Sequence, residues 1–203
     1  DPVHYRDKGI EEAVPLGPGS MAALLGLEEA DVVAACTDAA EGSVVEAVNF
    51  NAPGQIVIAG ERAAVLRAME LARARGAKKA IELSVSVPSH SSLMRAAGLR
   101  LGEKLAKTEI RAPRIRYLSA VDAKEHSAPD DIRALLVRQL WSPVRWTAAV
   151  TALSSGGVRQ IVECGPGGVP AGLVKRIERR RDTQIFALAD SDSFTAATTA
   201  VTA

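Results

Sequence analysis

The 203-residue chain is 47% hydrophobic and 24% charged, enough apolar sequence to bury a core. Its 25 basic and 24 acidic residues give a formal charge of +1, which leaves neither the footprint of a nucleic-acid binder nor a need for an acidic partner. Only 3% of residues are aromatic, too few for the paired platform on which RNA bases stack.

The sequence contains no apolar run near the ~20 residues of a membrane span, and Asp1-Pro2-Val3-His4 does not have the shape of a signal peptide. The two cysteines, Cys36 and Cys164, stand far apart without a C-x-x-C or histidine cluster. This spacing favours neither a disulfide scaffold nor a metal site, and a reducing cytoplasm is the expected setting. The lack of an initiator Met suggests a chain that starts partway into a gene product.

In chain order, Ser20 to Leu25 is a short apolar run, followed by a helix over Glu28 to Ala40 with Ala30, Val33, Ala34 and Thr37 at helical spacing. Two β-rich runs, Val44 to Phe50 and Gln55 to Ala59, flank the turn "NAPG". Ala64, Val65, Ala68, Met69 and Ala72 then form a helical stripe that stops at Gly76, and Ala80 to Val85 reads as a strand. The order βαββαβ predicts two helices on one face of a four-stranded antiparallel sheet, the ferredoxin-like or split βαβ arrangement.

Beyond His90, Leu93, Met94, Ala97, Leu101 and Leu105 predict a helix, and Arg114 to Ala120 a strand. Asp130 and Asp131 suit the start of a helix carrying Ile132, Leu135, Leu136 and Leu140. A further helix is expected over Thr147 to Leu153. A strand and glycine turn follow in "RQIVECGPGG", then a helix over Ala171 to Arg179 and a last strand over Thr183 to Leu188. The expected class is α/β: a portion of an α/β-hydrolase-like parallel-sheet body with an inserted ferredoxin-like (split βαβ) subdomain. Residues 1–16 and 86–190 would belong to the large subdomain, 17–85 to the small one, and 191–203 to a loose C-terminal tail.

Of three histidines, His4 and His126 sit in polar, turn-like sequence, whereas His90 in "VPSHSSLM" lies between a strand end and a helix start. An imidazole there could be a general base near neutral pH, or a filler in a serine-capped turn. Gln139 in "RQLWSPVRW" stands at a helix end, where free backbone carbonyls can hold an Nδ1–H and leave Nε2 basic. The glycines of "CGPGG" match neither a Walker motif nor G-x-G-x-x-G, and "KRIERRR" reads as a solvated helix end.

Five stretches, "EEAVPLGPGSMAALLGL", "VVEAVNFNAPGQIVIAG", "ELSVSVPSHSSLM", "IRALLVRQLWSPVRW" and "VECGPGGVPAGLVKRI", carry a strong resemblance to the malonyl-CoA:acyl carrier protein transacylases, over the latter two-thirds of that family. The resemblance implies ping-pong transfer of malonyl from malonyl-CoA through a malonyl-serine to the phosphopantetheine thiol of acyl carrier protein, with no resident cofactor. It places the family's catalytic histidine on His90 and its orienting main-chain carbonyl on Gln139. The arginine that clamps the malonyl carboxylate falls on Arg6, although the usual Arg-Gly pair reads Arg6-Asp7 and a bulky position is Gly9. Asn49 and Asn51 resemble residues facing the acyl-pantetheine; an Asx turn is the other reading.

The sequence contains no G-x-S-x-G nucleophile elbow. The expectation is therefore that a nucleophile-bearing N-terminal portion is missing and that these 203 residues alone are inactive, with acyl carrier protein, malonyl-CoA and the missing portion as partners and neither nucleic acid nor membrane among them. The alternative is a non-catalytic fragment or binding module that meets acyl carrier protein. Malonyl and methylmalonyl carry the same carboxylate and remain open between them.

Overall fold

A computed structural model describes residues 19–85, 87–165 and 167–202. Arg6 and the segment 1–16 lie outside the described residues. The chain divides into two compact units, the first ending at Trp146 and the second starting at Thr147.

The first unit begins with β1 (Gly19–Leu25), α1 (Glu29–Ala40), β2 (Val45–Ala52), β3 (Gln55–Glu61), α2 (Arg62–Ala74) and β4 (Lys79–Glu82). These strands form one antiparallel sheet in the order β2-β3-β1-β4, the ferredoxin-like topology. The two-residue period of a strand explains why the apolar runs are nearly continuous: each strand has residues for both faces. Ala22, Leu24, Phe50, Ile56 and Ile58 pack with Val32 and Cys36 of α1 and Val65, Ala68 and Met69 of α2. Met21, Val48, Val57 and Ala59 form a second, smaller cluster.

The stripe expected on α2 is the one that is buried. On α1 the buried face is Val32, Ala35, Cys36 and Ala39, whereas Ala30, Val33, Ala34 and Thr37 are exposed. Both sets have the spacing i, i+3, i+4, i+7, so periodicity alone could not choose between them. The buried set is wholly apolar. The exposed one ends in Thr37, whose hydroxyl donates to the Val33 carbonyl.

Edge strand β2 is the part of the sheet that bears on the site. Its register with β3 shifts between Ala47 and Asn49 and again between Phe50 and Ala52, so one irregularity precedes Asn49 and the other falls at Asn51. Its outer edge is covered by residue 144: Phe50 N–H donates to the Val144 carbonyl at 2.9 Å, and Val144 N–H to the Val48 carbonyl at 2.8 Å. This pairing satisfies backbone groups that a bare edge would expose. At Gly60 any side chain would collide with the Val44 carbonyl, because a Cβ there would lie 2.0 Å from that oxygen.

A 3₁₀ turn (Ser92–Met94) leads into α3 (Arg95–Leu105), which packs on α4 (Pro129–Arg138). Met94, Ala97 and Leu140 form their common core, with Val87, Leu101 and Trp141 against it. The expected strand at Arg114 to Ala120 is reduced to β5 (Tyr117–Leu118), which pairs with β6 (Glu125–His126).

Helix α5 (Trp146–Ser155) starts at the last residue of the first unit; after it the second unit holds β7 (Gln160–Glu163), α6 (Val169–Ile177) and β8 (Gln184–Ala187), and β7 and β8 pair in parallel. The Glu163 carboxylate accepts the Ala171 N–H at 2.8 Å, capping α6 from the preceding strand. The tail expected to be loose is instead a helix, α7 (Ser191–Thr202). Asp190 and Ser193 exchange reciprocal bonds at its start: Ser193 N–H donates to Asp190 Oδ1 and Asp190 N–H to Ser193 Oγ. A capping box of this kind starts a helix that apolar content alone does not announce.

The architecture is thus mixed α/β with a ferredoxin-like antiparallel subdomain. Among the described residues no helix is long and apolar enough to cross a membrane.

Candidate active site around His90

His90 sits in a left-handed backbone conformation, φ 67°, in a loop held at many points. Such a φ costs a non-glycine residue about 1 kcal/mol, so the surroundings must impose it. His90 N–H donates to the Leu140 carbonyl at 3.1 Å, Ser89 N–H to the Val87 carbonyl at 2.8 Å, and Met94 N–H to the Ser91 carbonyl at 3.0 Å. Ser91 is fully buried, and its hydroxyl donates to the Pro88 carbonyl at 2.7 Å. That bond makes Ser91 a brace for the loop rather than an available nucleophile. The Ser92 N–H donates to Glu46 Oε2 at 2.7 Å.

The ring is half-buried, and its Nδ1 lies 2.7 Å from the Gln139 carbonyl oxygen. A carbonyl can only accept, so Nδ1 carries the proton and Nε2 holds the lone pair of the neutral ring. Gln139 is the C-cap of α4. A continuing helix would bond its carbonyl to the N–H four residues on, but residue 143 is proline and has none. The carbonyl is therefore available to His90 at the end of a ten-residue helix. The side-chain Nε2 of Gln139 is buried with no hydrogen-bond partner, so only the main chain of this residue engages the ring.

Asn49 and Asn51 stand half-buried on β2, and Asn49 bridges to Val144. The same strand thus braces both sides of the site, at residue 92 through Glu46 and at residue 144 through its edge. Sequence reasoning missed Glu46, because its contact spans 46 residues and no local pattern marks it. His126 is a different case: its Nε2 lies 3.0 Å from the Asp122 carboxylate, in a local structural pair. A groove of about 570 Å³ lined by Val33, Cys36, Phe50 and Arg145 includes neither His90 nor Gln139. There the Arg145 guanidinium lies 5.3 Å from the Phe50 ring centre. Among the described residues no cluster of His, Cys, Asp and Glu could hold a metal ion.

The model of the acyl transferase domain matches residues 3–182. The chain belongs to the acyl transferase domain family. It is 50% identical over 175 residues, 86% of its own length, to the malonyl CoA-acyl carrier protein transacylase of Escherichia coli. The acyl-carrier-protein-S-malonyltransferase of Bartonella henselae superposes with a TM-score of 0.94 at 36% identity and covers 100% of this chain. A malonyl-transacylase solved in complex with a type II PKS acyl-carrier protein superposes with a TM-score of 0.92 at 43% identity over 97% of the chain. This chain spans 57% of the first of these relatives, and 64% and 63% of the two solved chains.

The match to the acyl transferase domain corrects several expectations. The resemblance was expected to be to the latter two-thirds of the family only; the match is instead to the acyl transferase domain, over residues 3–182, and the Bartonella henselae structure covers the whole of this chain. Against the expectations of an inactive chain, of a missing nucleophile-bearing portion among its partners, and of a non-catalytic fragment or binding module stands the match of the acyl transferase domain to residues 3–182. They rested on one absent five-residue pattern, whereas the match extends over almost every position.

Proposed function

We propose that this chain transfers a malonyl group from the thioester of malonyl-CoA to the phosphopantetheine thiol of acyl carrier protein, in the cytoplasm and without a resident cofactor. The bond from His90 Nδ1–H to the Gln139 carbonyl supports this reading most directly. It fixes the tautomer in which Nε2 accepts a proton from an attacking hydroxyl or thiol. The oxygen or sulfur then adds to the acyl carbonyl. As the tetrahedral intermediate collapses, the departing group, the CoA thiolate or the serine oxygen, recovers the proton from the imidazolium. In the first half-reaction CoA leaves and an acyl-serine forms; in the second the pantetheine thiol is the attacker, and the serine oxygen leaves.

Arg6 is proposed to hold the malonyl carboxylate in its planar two-pronged donor array, and Asn49 and Asn51 to hydrogen-bond the acyl-pantetheine. The domain boundaries expected from sequence, 1–16 with 86–190 around 17–85, are proposed with them. Relatives that carry malonyl transacylase names and one solved with an acyl-carrier protein support the choice of substrate and partner. Competition between malonyl-CoA and acetyl-CoA tests it. Arg6→Ala should lower kcat/KM for malonyl-CoA by about 10²-fold and leave acetyl-CoA nearly untouched. Unchanged malonyl preference would place the clamp elsewhere.

A further inference from the structure

We propose that Glu46 is a positioning residue for the base: its carboxylate anchors the backbone immediately after His90 and so holds the imidazole on the Gln139 carbonyl. This inference rests on the reading of His90 as the base, but it arises from a contact that reading does not use.

The His90 loop is tied down on one side through Leu140 and Gln139, which receive the His90 N–H and Nδ1–H. Both acceptors lie at the end of α4, so this side alone would let the loop pivot about residue 90. A separate tie is the Ser92 N–H, which reaches Glu46, on a different element, at 2.7 Å. Glu46 rises from β2, whose edge is bonded to Val144, five residues beyond Gln139. One strand therefore fixes both the base and the segment that carries its acceptor. The closed loop runs from β2 through Glu46 to Ser92, through His90 to Gln139, and back through Val144 to β2. Opening it at Glu46 releases the left-handed His90 backbone from one of its restraints.

The anchor requires an acceptor oxygen, not a charge, so amide and carboxylate should serve alike. Three variants separate the possibilities. Glu46→Ala removes the acceptor, and Glu46→Gln keeps one. Ser92→Pro removes the donor at the first residue of a helical turn, where proline is tolerated. The primary readout is independent of turnover: ¹⁵N and ¹H NMR of the His90 ring and the Ser92 amide. The wild type should show a single Nδ1–H tautomer and a slowly exchanging Ser92 amide. Glu46→Ala and Ser92→Pro should both mix the tautomers, and Glu46→Gln should restore the wild-type ring spectrum.

In malonyl transfer, Glu46→Ala should lower kcat about tenfold with little change in KM, because misplacement of a catalytic group costs rate more than binding. Combining it with Ser92→Pro should add nothing, as both remove the same bond. A wild-type ring signal in folded Glu46→Ala, or failure of Glu46→Gln to restore it, overturns the proposal. If Glu46→Ala does not fold, the ring spectrum of Ser92→Pro decides in the same way. A wild type without malonyl transfer defeats the function proposed above, while the ring spectra still judge Glu46.

Discussion

A main-chain carbonyl is a weaker companion for an imidazolium than the carboxylate of a Ser-His-Asp triad, but mutation of its own side chain cannot remove it. Gln139→Ala should therefore keep the His90 bond, and malonyl transfer should fall by less than about tenfold, a smaller effect than loss of a general base brings. A drop as deep as that of a His90 variant would assign the work to the Gln139 amide instead. Cysteine chemistry gives a second prediction at this scale. Burial, reinforced by the Glu46 carboxylate, pushes the Cys36 thiol up to about 12, whereas Cys164 is exposed. Since the thiolate is the reactive form, iodoacetamide at pH 8 should label one cysteine per folded chain, Cys164, and both only after denaturation. Prompt double labelling of the native protein would contradict the burial of α1. At this scale motif and helix-end chemistry pointed to His90 and Gln139, which the fold joins by a hydrogen bond. The sequence was silent on Glu46 and on the bracing role of Ser91, because both act through contacts that only the folded loop creates.

Among the elements, the joint between α3 and α4 is the tightest near the site. A Cβ on Gly98 would lie 1.9 Å from Trp141 Cζ3, so the indole sits where a side chain would be. Gly98→Ala must displace Trp141, two residues from the Gln139 carbonyl. The expected cost is about 1–3 kcal/mol, as in other overpacked cores, with a lower melting temperature and weaker transfer. A stable, fully active Gly98→Ala would show that this packing does not set the site.

In the second unit the Glu178 carboxyl is held down to about 2, first by the nearby Ser154 hydroxyl, which falls short of a full hydrogen bond, and then by Arg180. A carboxyl lowered on folding stabilises the native state above its ordinary value of 4.5, and that contribution fades as pH falls from there toward 2. Glu178→Gln should flatten the decline of melting temperature with acid across this window; an unchanged slope would remove Glu178 from the acid response. Element type was well legible in sequence where one apolar stripe stood alone, as on α2. Phase was lost on α1, where two stripes of the same spacing competed, and the capping box of α7 was hidden behind a tail of small residues.

At the scale of the whole molecule, the ferredoxin-like subdomain followed from the order βαββαβ, because two helices and four half-apolar strands can bury one another in few ways. The parallel pair β7 and β8 followed from strand-helix-strand alternation. The edge contact from β2 to Val144 did not, since strand period says nothing about what covers an edge. That contact brings the Asn49 strand beside the segment after Gln139.

The central claim is that Nε2 of His90, set by its bond to Gln139, moves the proton in acyl transfer. It is tested most directly by timing the transfer of labelled malonyl from CoA to holo acyl carrier protein, using the protein at its natural full length and its folded His90→Ala variant. The account predicts a loss of about 10²–10⁴-fold in the variant, the usual contribution of a general base, with circular dichroism unchanged. Transfer at an undiminished rate by folded His90→Ala would contradict it.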